Sequence, residues 1–327
     1  MKVIISSITQ HLFEKQFEEF ESQHQINLEK IILDPQNPKN PDWCEVPESD
    51  AFFLTYEFMF AVRDDKSLIP NLLSVCKKTK FVQTGLAGMD SDFAQQLLKI
   101  PNLRVANARG VHAIPIANYV FAQALRWTKR IDEHIDMQSK KNWAELGGDG
   151  ELTGKTMIIW GCGGIGQEIA RIAKAFGMNV VGVRRSVFTN PNVDHAISHE
   201  DVFDWLPFAD FVVLALPDSS ETRDIVDARV LDRCSPQSML INVGRGTAID
   251  EDALAHALNS KQIACAALDT TKIEPLPEDS PLWTAHNCFI SAHDSAHSLQ
   301  AVPRTFALFL HNLSNLLHKK TLENICY

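Results

Sequence analysis

Residues 156–166 read TMIIWGCGGIG, and residues 167–177 continue QEIARIAKAFG. An apolar run, a glycine-rich turn and an amphipathic run of helical period follow one another without a gap. The turn, Gly161-Cys162-Gly163-Gly164-Ile165-Gly166, fits G-x-G-x-x-G in the strand–turn–helix setting that gives the motif its meaning. The first glycine permits the tight turn, the second lets a pyrophosphate approach the backbone, and the third lets helix pack closely on strand. The helix start offers unpaired N–H groups and the positive dipole end to the phosphates. A glycine-rich turn alone is weak evidence. Its flanks, and a second strand at Asn179–Val183, favour a dinucleotide site over a plain turn. No base or third group accompanies Cys162, so a small filler is the better reading than a nucleophile.

The second strand runs into Arg184-Arg185-Ser186. An NAD site would place Asp or Glu there, to accept hydrogen bonds from the ribose hydroxyls. A guanidinium fork and a hydroxyl suit a 2′-phosphate instead. NADP(H) is therefore the expected preference. NAD(H) bordered by two solvated arginines is the blander alternative.

Working outward, residues 155–292 alternate strand and helix. MIIW, NVVGV, FVVLAL, MLINV, IACAAL and CFIS make six strands, the number in a complete dinucleotide-binding sheet. Upstream, strands are expected at Lys2–Ser6, Glu29–Leu33, Asp50–Thr55, Lys80–Gln83 and Leu103–Ala106. Helical segments among them again mean a parallel sheet. The Phe-rich run Phe52–Phe60 reads as core or domain interface. One long helix is expected from Pro115 to Gln138, with Pro115 in its first turn. Its apolar residues Val120, Phe121, Leu125, Trp127, Ile131 and Ile135 fall on more than one side, which calls for burial on more than one face. The stretch Ala296–Lys319 is helical, brings no strand, and is expected to pack back on the first part of the chain.

At 327 residues the chain suits two domains, and its 45% hydrophobic and 22% charged residues are those of a folded soluble protein. A net charge of −10 with no block of like charges argues against a nucleic-acid partner. No stretch has the length of a transmembrane helix, and the N-terminus turns polar too soon for a signal peptide. Seven scattered cysteines (44, 76, 162, 234, 265, 288 and 326) include no C-x-x-C. They fit reduced thiols in a cytoplasm, without a structural zinc site.

Three polar residues follow strands of the second sheet: Arg245 in LINVGRG, Glu274 in KIEPLPEDSPLW and His293 in SAHDSAH. Ligands bind at the carboxyl ends of such strands. Together the three could grip a 2-oxo acid carboxylate with a guanidinium fork, protonate its carbonyl oxygen, and raise the imidazole pKa with a neighbouring carboxylate. Any one of them alone is more often structural, and twelve histidines make a chance one near a site common. Their joint placement shifts the balance. His293 and His297 are four apart, but the first ends a strand, so a metal pair is not expected.

GCGGIG, LPDSSETRDIV, INVGRGTAID, ALDTTKIEPLPEDSPLW and ISAH, in this order, resemble the D-isomer-specific 2-hydroxyacid dehydrogenase family and its NADPH-using glyoxylate/hydroxypyruvate reductase-like branch. FVQTGLAGMD and NARGVHAIPIANYV also resemble that family's substrate-domain segments; the first 80 residues agree only in α/β pattern. The resemblance implies that Arg245 binds and polarises the substrate, His293 is the acid/base and Glu274 its partner. It implies that the amides of Ala87 and Gly88 hold the substrate carboxylate. Leu216, Pro217, Thr222, Val243, Gly244 and Asp269 would line the cofactor beside Gly161, Gly163, Gly164, Ile165, Gly166, Arg184, Arg185 and Ser186. Asn118 and Asp294 depart from the family's usual residues.

The expected fold is α/β, with two doubly wound parallel-sheet domains and a cleft between them. A Rossmann cofactor domain (110–292) is inserted in a flavodoxin-like substrate domain (1–109 and 293–327). The expected reaction is reversible reduction of a 2-oxo acid to a (2R)-hydroxy acid, by a homodimer whose contact, as the resemblance implies, is the Pro115–Gln138 helix. Two other readings stand beside it: a nicotinamide-sensing interaction protein on the same fold, and a formate- or S-adenosylhomocysteine-type Rossmann enzyme. The intact Arg/Glu/His set argues against the first. Glu274 argues against the formate type, and the EPLP…SAH tail against the other.

Overall fold

Apolar runs between amphipathic helices give two parallel sheets in the computed structural model, which describes residues 1–35, 43–148, 150–186 and 188–326. The chain divides into two units, Met1–Val111 with Ser298–Tyr327, and His112–His297.

In the first unit the parallel strands are β1 (Lys2–Ser6), β2 (Glu29–Leu33), β3 (Ala51–Leu54), β4 (Phe81–Thr84) and β5 (Arg104–Ala106), in spatial order 2-1-3-4-5. That is the flavodoxin-like order. Every residue of β3 and β4 is buried, as expected of strands covered on both faces. The helix Ser7–His24 starts where the Ser6 side chain accepts from the Thr9 amide (2.9 Å). It lays Phe13, Phe17 and Phe20 against one face of the sheet. The helix Ala301–Leu317 covers the same face, stacking Phe306 on Phe13 (4.1 Å between centroids) and Phe309 on Phe53 (4.9 Å). Fully burying an aromatic or branched side chain is worth about 1.5–3 kcal/mol, so this aromatic layer is a large share of the unit's stability. Of the Phe-rich run, Phe52, Phe53 and Phe58 are core, while Phe60 is 46% exposed.

Beyond the stretch expected to be helical, the chain adds one further strand, Ile325–Cys326, which pairs antiparallel with β5. Buried Asn312 fixes its approach, donating to Gln83 Oε1 (3.0 Å) and accepting from the Glu323 amide (2.7 Å).

In the second unit the strands are β6 (Thr156–Trp160), β7 (Asn179–Val183), β8 (His195–Ile197), β9 (Phe211–Leu214), β10 (Met239–Asn242), β11 (Cys265–Leu268) and β12 (Cys288–Ile290). All are parallel, in spatial order β12-β11-β10-β9-β6-β7-β8. Numbered from β6, the order is the Rossmann 3-2-1-4-5-6 with a seventh strand at the far edge. The strand absent from the six expected is β8, a three-residue edge strand with two exposed residues. The order reverses between β6 and β9, and ligands bind at such switch points.

The single helix expected from Pro115 to Gln138 is two, Ala113–Thr128 and Ile131–Ser139. The break is at Arg130, whose φ of 52° lies in the left-handed region. The seams between units also move, from 109/110 and 292/293 to 111/112 and 297/298. His293 therefore belongs to the second unit, where hydrogen bonds to Asp269 tie its loop to β11.

Candidate active site

The chain leaves β6 at Gly161 with φ 110° and turns into the helix Gly164–Ala175. A Cβ at Gly161 would stand 2.5 Å from the Ala215 carbonyl oxygen, and one at Gly166 2.2 Å from that of Gly161. Neither position admits a side chain. Gly163 is different, since a Cβ there would meet no protein atom within 4 Å. Protein packing does not require that glycine; an approaching ligand does. The helix start has no side-chain cap, so its first amides face this opening. The loop therefore fits a dinucleotide pyrophosphate.

Cys162 is buried behind the loop, and burial pushes its thiol up to about 11, which suits a filler. The other described cysteines are also free thiols (76, 234, 265, 288 and 326); the side chain of Cys44 lies outside the described residues.

Arg184, Arg185 and Ser186 lie exposed just beyond β7. Arg184 stands over the Phe188 ring (5.9 Å) and has no carboxylate partner among the described residues. Arg185 Nη1 meets Glu221 Oε2 at 2.6 Å, in the loop after β9. That loop holds Leu216, Pro217 and Thr222, the last donating to the Pro217 carbonyl (2.6 Å). Val243 and Gly244 follow β10. Val243 and Asp269 are only 4% and 1% exposed.

Arg245, Glu274 and His293 come together at the carboxyl ends of β10, β11 and β12. Asn242 shapes the first turn, accepting from the Gly244 amide (3.1 Å) and donating to the Arg245 carbonyl (3.0 Å). Glu274 Oε2 meets His293 Nδ1 at 2.8 Å, while its other oxygen accepts from the Thr271 amide (3.2 Å). This leaves Nε2 of His293 outside the Glu274 contact. The hydrogen bond that His293 Nδ1 donates to Glu274, helped by the charges of Glu274 and Asp269, holds the imidazole above the ordinary histidine range. Partial burial and the Arg245 cation oppose this and are outweighed. Partial burial also works against ionisation of Glu274, but the bond and charge of His293 prevail and hold its carboxyl below the usual range.

His293 has a φ of 54°, and its amide donates to the Asp269 carbonyl (2.9 Å). The Asp269 carboxylate accepts from Ser291 Oγ (2.7 Å), the amides of Asp294 and Ser295 (3.1 Å each) and Ser295 Oγ. One buried carboxylate thus anchors the loop on both sides of His293. Among the described residues no group of three or more His, Cys, Asp or Glu is placed to hold a metal, and no helix is long and apolar enough to cross a membrane.

Residues 121–295, more than half the chain, match the family described as D-isomer specific 2-hydroxyacid dehydrogenase, NAD binding domain. The chain belongs to that family. A glyoxylate reductase of Aeropyrum pernix is 28% identical over 78% of this chain and 78% of its own length. An uncharacterized protein from the proB 3′ region of Corynebacterium melassecola is 32% identical over 75% of this chain and 81% of its own. The crystal structure of a D-isomer specific 2-hydroxyacid dehydrogenase family protein from Aeromonas salmonicida subsp. salmonicida A449 superposes with a TM-score of 0.82 at 27% identity, covering 100% of this chain and 98% of that one. This D-2-hydroxyacid dehydrogenase is accordingly an NAD(P)-dependent oxidoreductase.

In the first unit of this dehydrogenase, Ala87 and Gly88 lie in the loop after β4, where neither amide donates to a protein acceptor among the described residues. Asn107 Nδ2 braces the loop through the Ala87 carbonyl (2.9 Å). Of the two departures from the family pattern, Asn118 is exposed, and Asp294 is exposed with its amide on Asp269. Sequence reasoning missed the supports: Ser291, Ser295, Thr271 and Tyr119. Tyr119 Oη lies 2.8 Å from Ser291 Oγ, and burial pushes its hydroxyl up to about 12, so it stays protonated. The one available signal was the pair of serines two residues to either side of His293.

Proposed function

We propose that the enzyme reduces a small 2-oxo acid, of the size of glyoxylate or hydroxypyruvate, to the (2R)-hydroxy acid with NADPH, and runs the reverse oxidation when the acid/base balance favours it. The observation that carries this is the 2.8 Å His293–Glu274 pair, with Arg245 close enough for its charge to act on both. Arg245 grips the substrate carboxylate through two parallel hydrogen bonds and polarises the carbonyl. The amides of Ala87 and Gly88 are further donors for that carboxylate. His293 gives the proton from Nε2 to the carbonyl oxygen as negative charge develops there. Glu274 keeps the imidazole charged and fixes its ring. The nicotinamide cofactor supplies the hydride when bound. The Gly161–Gly166 loop takes its pyrophosphate, and Arg184, Arg185 and Ser186 take the 2′-phosphate.

The name of the Aeropyrum pernix relative supports the choice of substrate. Assay of glyoxylate, hydroxypyruvate, pyruvate, phenylpyruvate and branched 2-oxo acids with NADPH and NADH tests the reading. It stands if one of the small acids turns over with NADPH at the higher kcat/KM. Equal or better efficiency with NADH refutes the 2′-phosphate part alone. No turnover of any 2-oxo acid favours the nicotinamide-sensing alternative. We also propose a homodimer in the cytoplasm. Ile114, Trp127, Ile131 and Ile135 on the two helices that replace the expected long one are 38–59% exposed, which calls for a partner surface. A monomer by light scattering at micromolar concentration would count against it.

A further inference from the structure

Two loops meet beyond the sheet at the place where the adenosine end of a dinucleotide would lie. One follows β7 and carries Arg184-Arg185-Ser186; the other follows β9 and carries Glu221. They are joined by the Arg185–Glu221 contact at 2.6 Å, between side chains that are 82% and 62% exposed. We propose that Glu221 is a specificity-determining residue. It competes with the cofactor's 2′-phosphate for Arg185 and so lowers the preference for NADPH that the two arginines would otherwise give. The proposal rests on the 2′-phosphate reading above and deepens it.

The argument is one of charge and donor geometry. A guanidinium offers five N–H donors in a planar fork, and phosphate is recognised best when that fork is presented to it. In this structure one donor of that fork in Arg185, Nη1, is given to a carboxylate of the protein's own. A phosphate monoester that takes the whole fork must displace Glu221 from Nη1, and it then stands beside a second negative charge. Among the described residues Arg184 has no such rival; its guanidinium lies over Phe188. The two arginines therefore play different parts. Arg184 is the standing phosphate donor, and Arg185 is conditional on what Glu221 does. A carboxylate in the loop after β9 thus acts as a distant counterpart of the acid that the end of β7 lacks.

The size follows from the exposure of the pair. Surface ion pairs are worth little in water, and repulsion between nearby exposed charges is similarly modest. Releasing Arg185 and removing the carboxylate together should tighten binding of a 2′-phosphate about three- to tenfold. The gain should shrink as salt approaches about 0.5 M, where the screening length is only a few ångströms.

Calorimetric titration of 2′,5′-ADP and of 5′-AMP, which differ only in the 2′-phosphate, tests this without turnover. The proteins are the unmodified enzyme, Glu221→Gln, Arg185→Gln and the double variant. The expected result is tighter 2′,5′-ADP binding in Glu221→Gln with 5′-AMP unchanged, and loss of most of that gain in the Arg185→Gln background. Thermal denaturation of each variant checks that the fold is intact, as expected for exposed side chains. If the unmodified protein prefers 2′,5′-ADP but Glu221→Gln binds it equally or more weakly, Glu221 is no competitor and the inference is overturned while the 2′-phosphate reading stands. If no protein in the set prefers 2′,5′-ADP, both fall.

Discussion

Replacing Asp269 with Asn tests whether one buried carboxylate holds the catalytic loop. The change is nearly isosteric, but the chemistry differs. Asp269 is 1% exposed and accepts four hydrogen bonds, from Ser291 Oγ, the amides of Asp294 and Ser295, and Ser295 Oγ. Asparagine keeps one acceptor oxygen and puts an NH₂ group where the other stood, facing a hydroxyl that must turn round to accept. Hydrogen bonds to a charged group are worth about 1.5–3 kcal/mol, against about 0.5–1.5 for neutral ones, so each bond weakens by about 1 kcal/mol. Easier burial of the neutral amide offsets part of this, leaving a loss of about 2–4 kcal/mol. In a domain of this size that lowers Tm by about 5–15 °C. The loop from Ser291 to Ser295 should loosen, and a catalytic group displaced by an ångström costs about 10²-fold in rate. Scanning calorimetry and steady-state reduction of the preferred 2-oxo acid give both numbers. Ser291→Ala, which deletes one of the four donors to Asp269 together with the partner of the Tyr119 hydroxyl, should show a smaller effect in each. Unchanged Tm and kcat in Asp269→Asn would refute the anchoring role. A lower Tm with unchanged kcat would leave Asp269 as a fold residue that does not position His293.

His293→Ala should lower kcat for reduction by about 10²–10⁴, the usual worth of a general acid, and near-normal turnover would sink its assignment. Because Glu274 holds the His293 pKa above the ordinary value, reduction is fully supported at low pH and lost as pH rises through that raised value, while oxidation gains over the same window. In Glu274→Gln the fall should come at lower pH, and a profile that does not move shows that Glu274 does not tune His293. Gly166→Ala would press a Cβ against the Gly161 carbonyl (2.2 Å), so it should cost about 1–3 kcal/mol and weaken nucleotide binding, as measured by denaturation and by titration with NADPH.

Much of this was legible in the sequence because the physics is local. A buried parallel strand must be an apolar run, and MIIW, FVVL and MLIN could hardly be anything else. Arg245, Glu274 and His293 were legible for a related reason: each follows such a run, and strand ends in a parallel sheet converge on one edge. The missed elements lack a local signal. His195–Ile197 and Ile325–Cys326 are too short to show a period, and each is a strand only because a neighbour offers it a ladder. The helix break at Arg130 is set by one backbone angle, while the flanking residues TKRIDE favour a helix throughout. Ser291 and Ser295 are ordinary loop residues until the buried carboxylate across from them is known. The Arg185–Glu221 contact joins loops on two strands, and no pattern within either one announces it.

The two-part build of the first unit has a consequence for the order in which the protein can be made. Phe306 and Phe309, which cover Phe53 and Phe81, come from a helix that is synthesised after the whole of the second unit. During translation the later-born sheet can therefore close first. The earlier one waits with aromatic surface uncovered, and such surface promotes aggregation. Nascent-chain solubility should thus depend less on how fast residues 1–111 emerge than on how soon residues 301–326 follow them. A chaperone that shields an incomplete aromatic layer would act in the interval between the two.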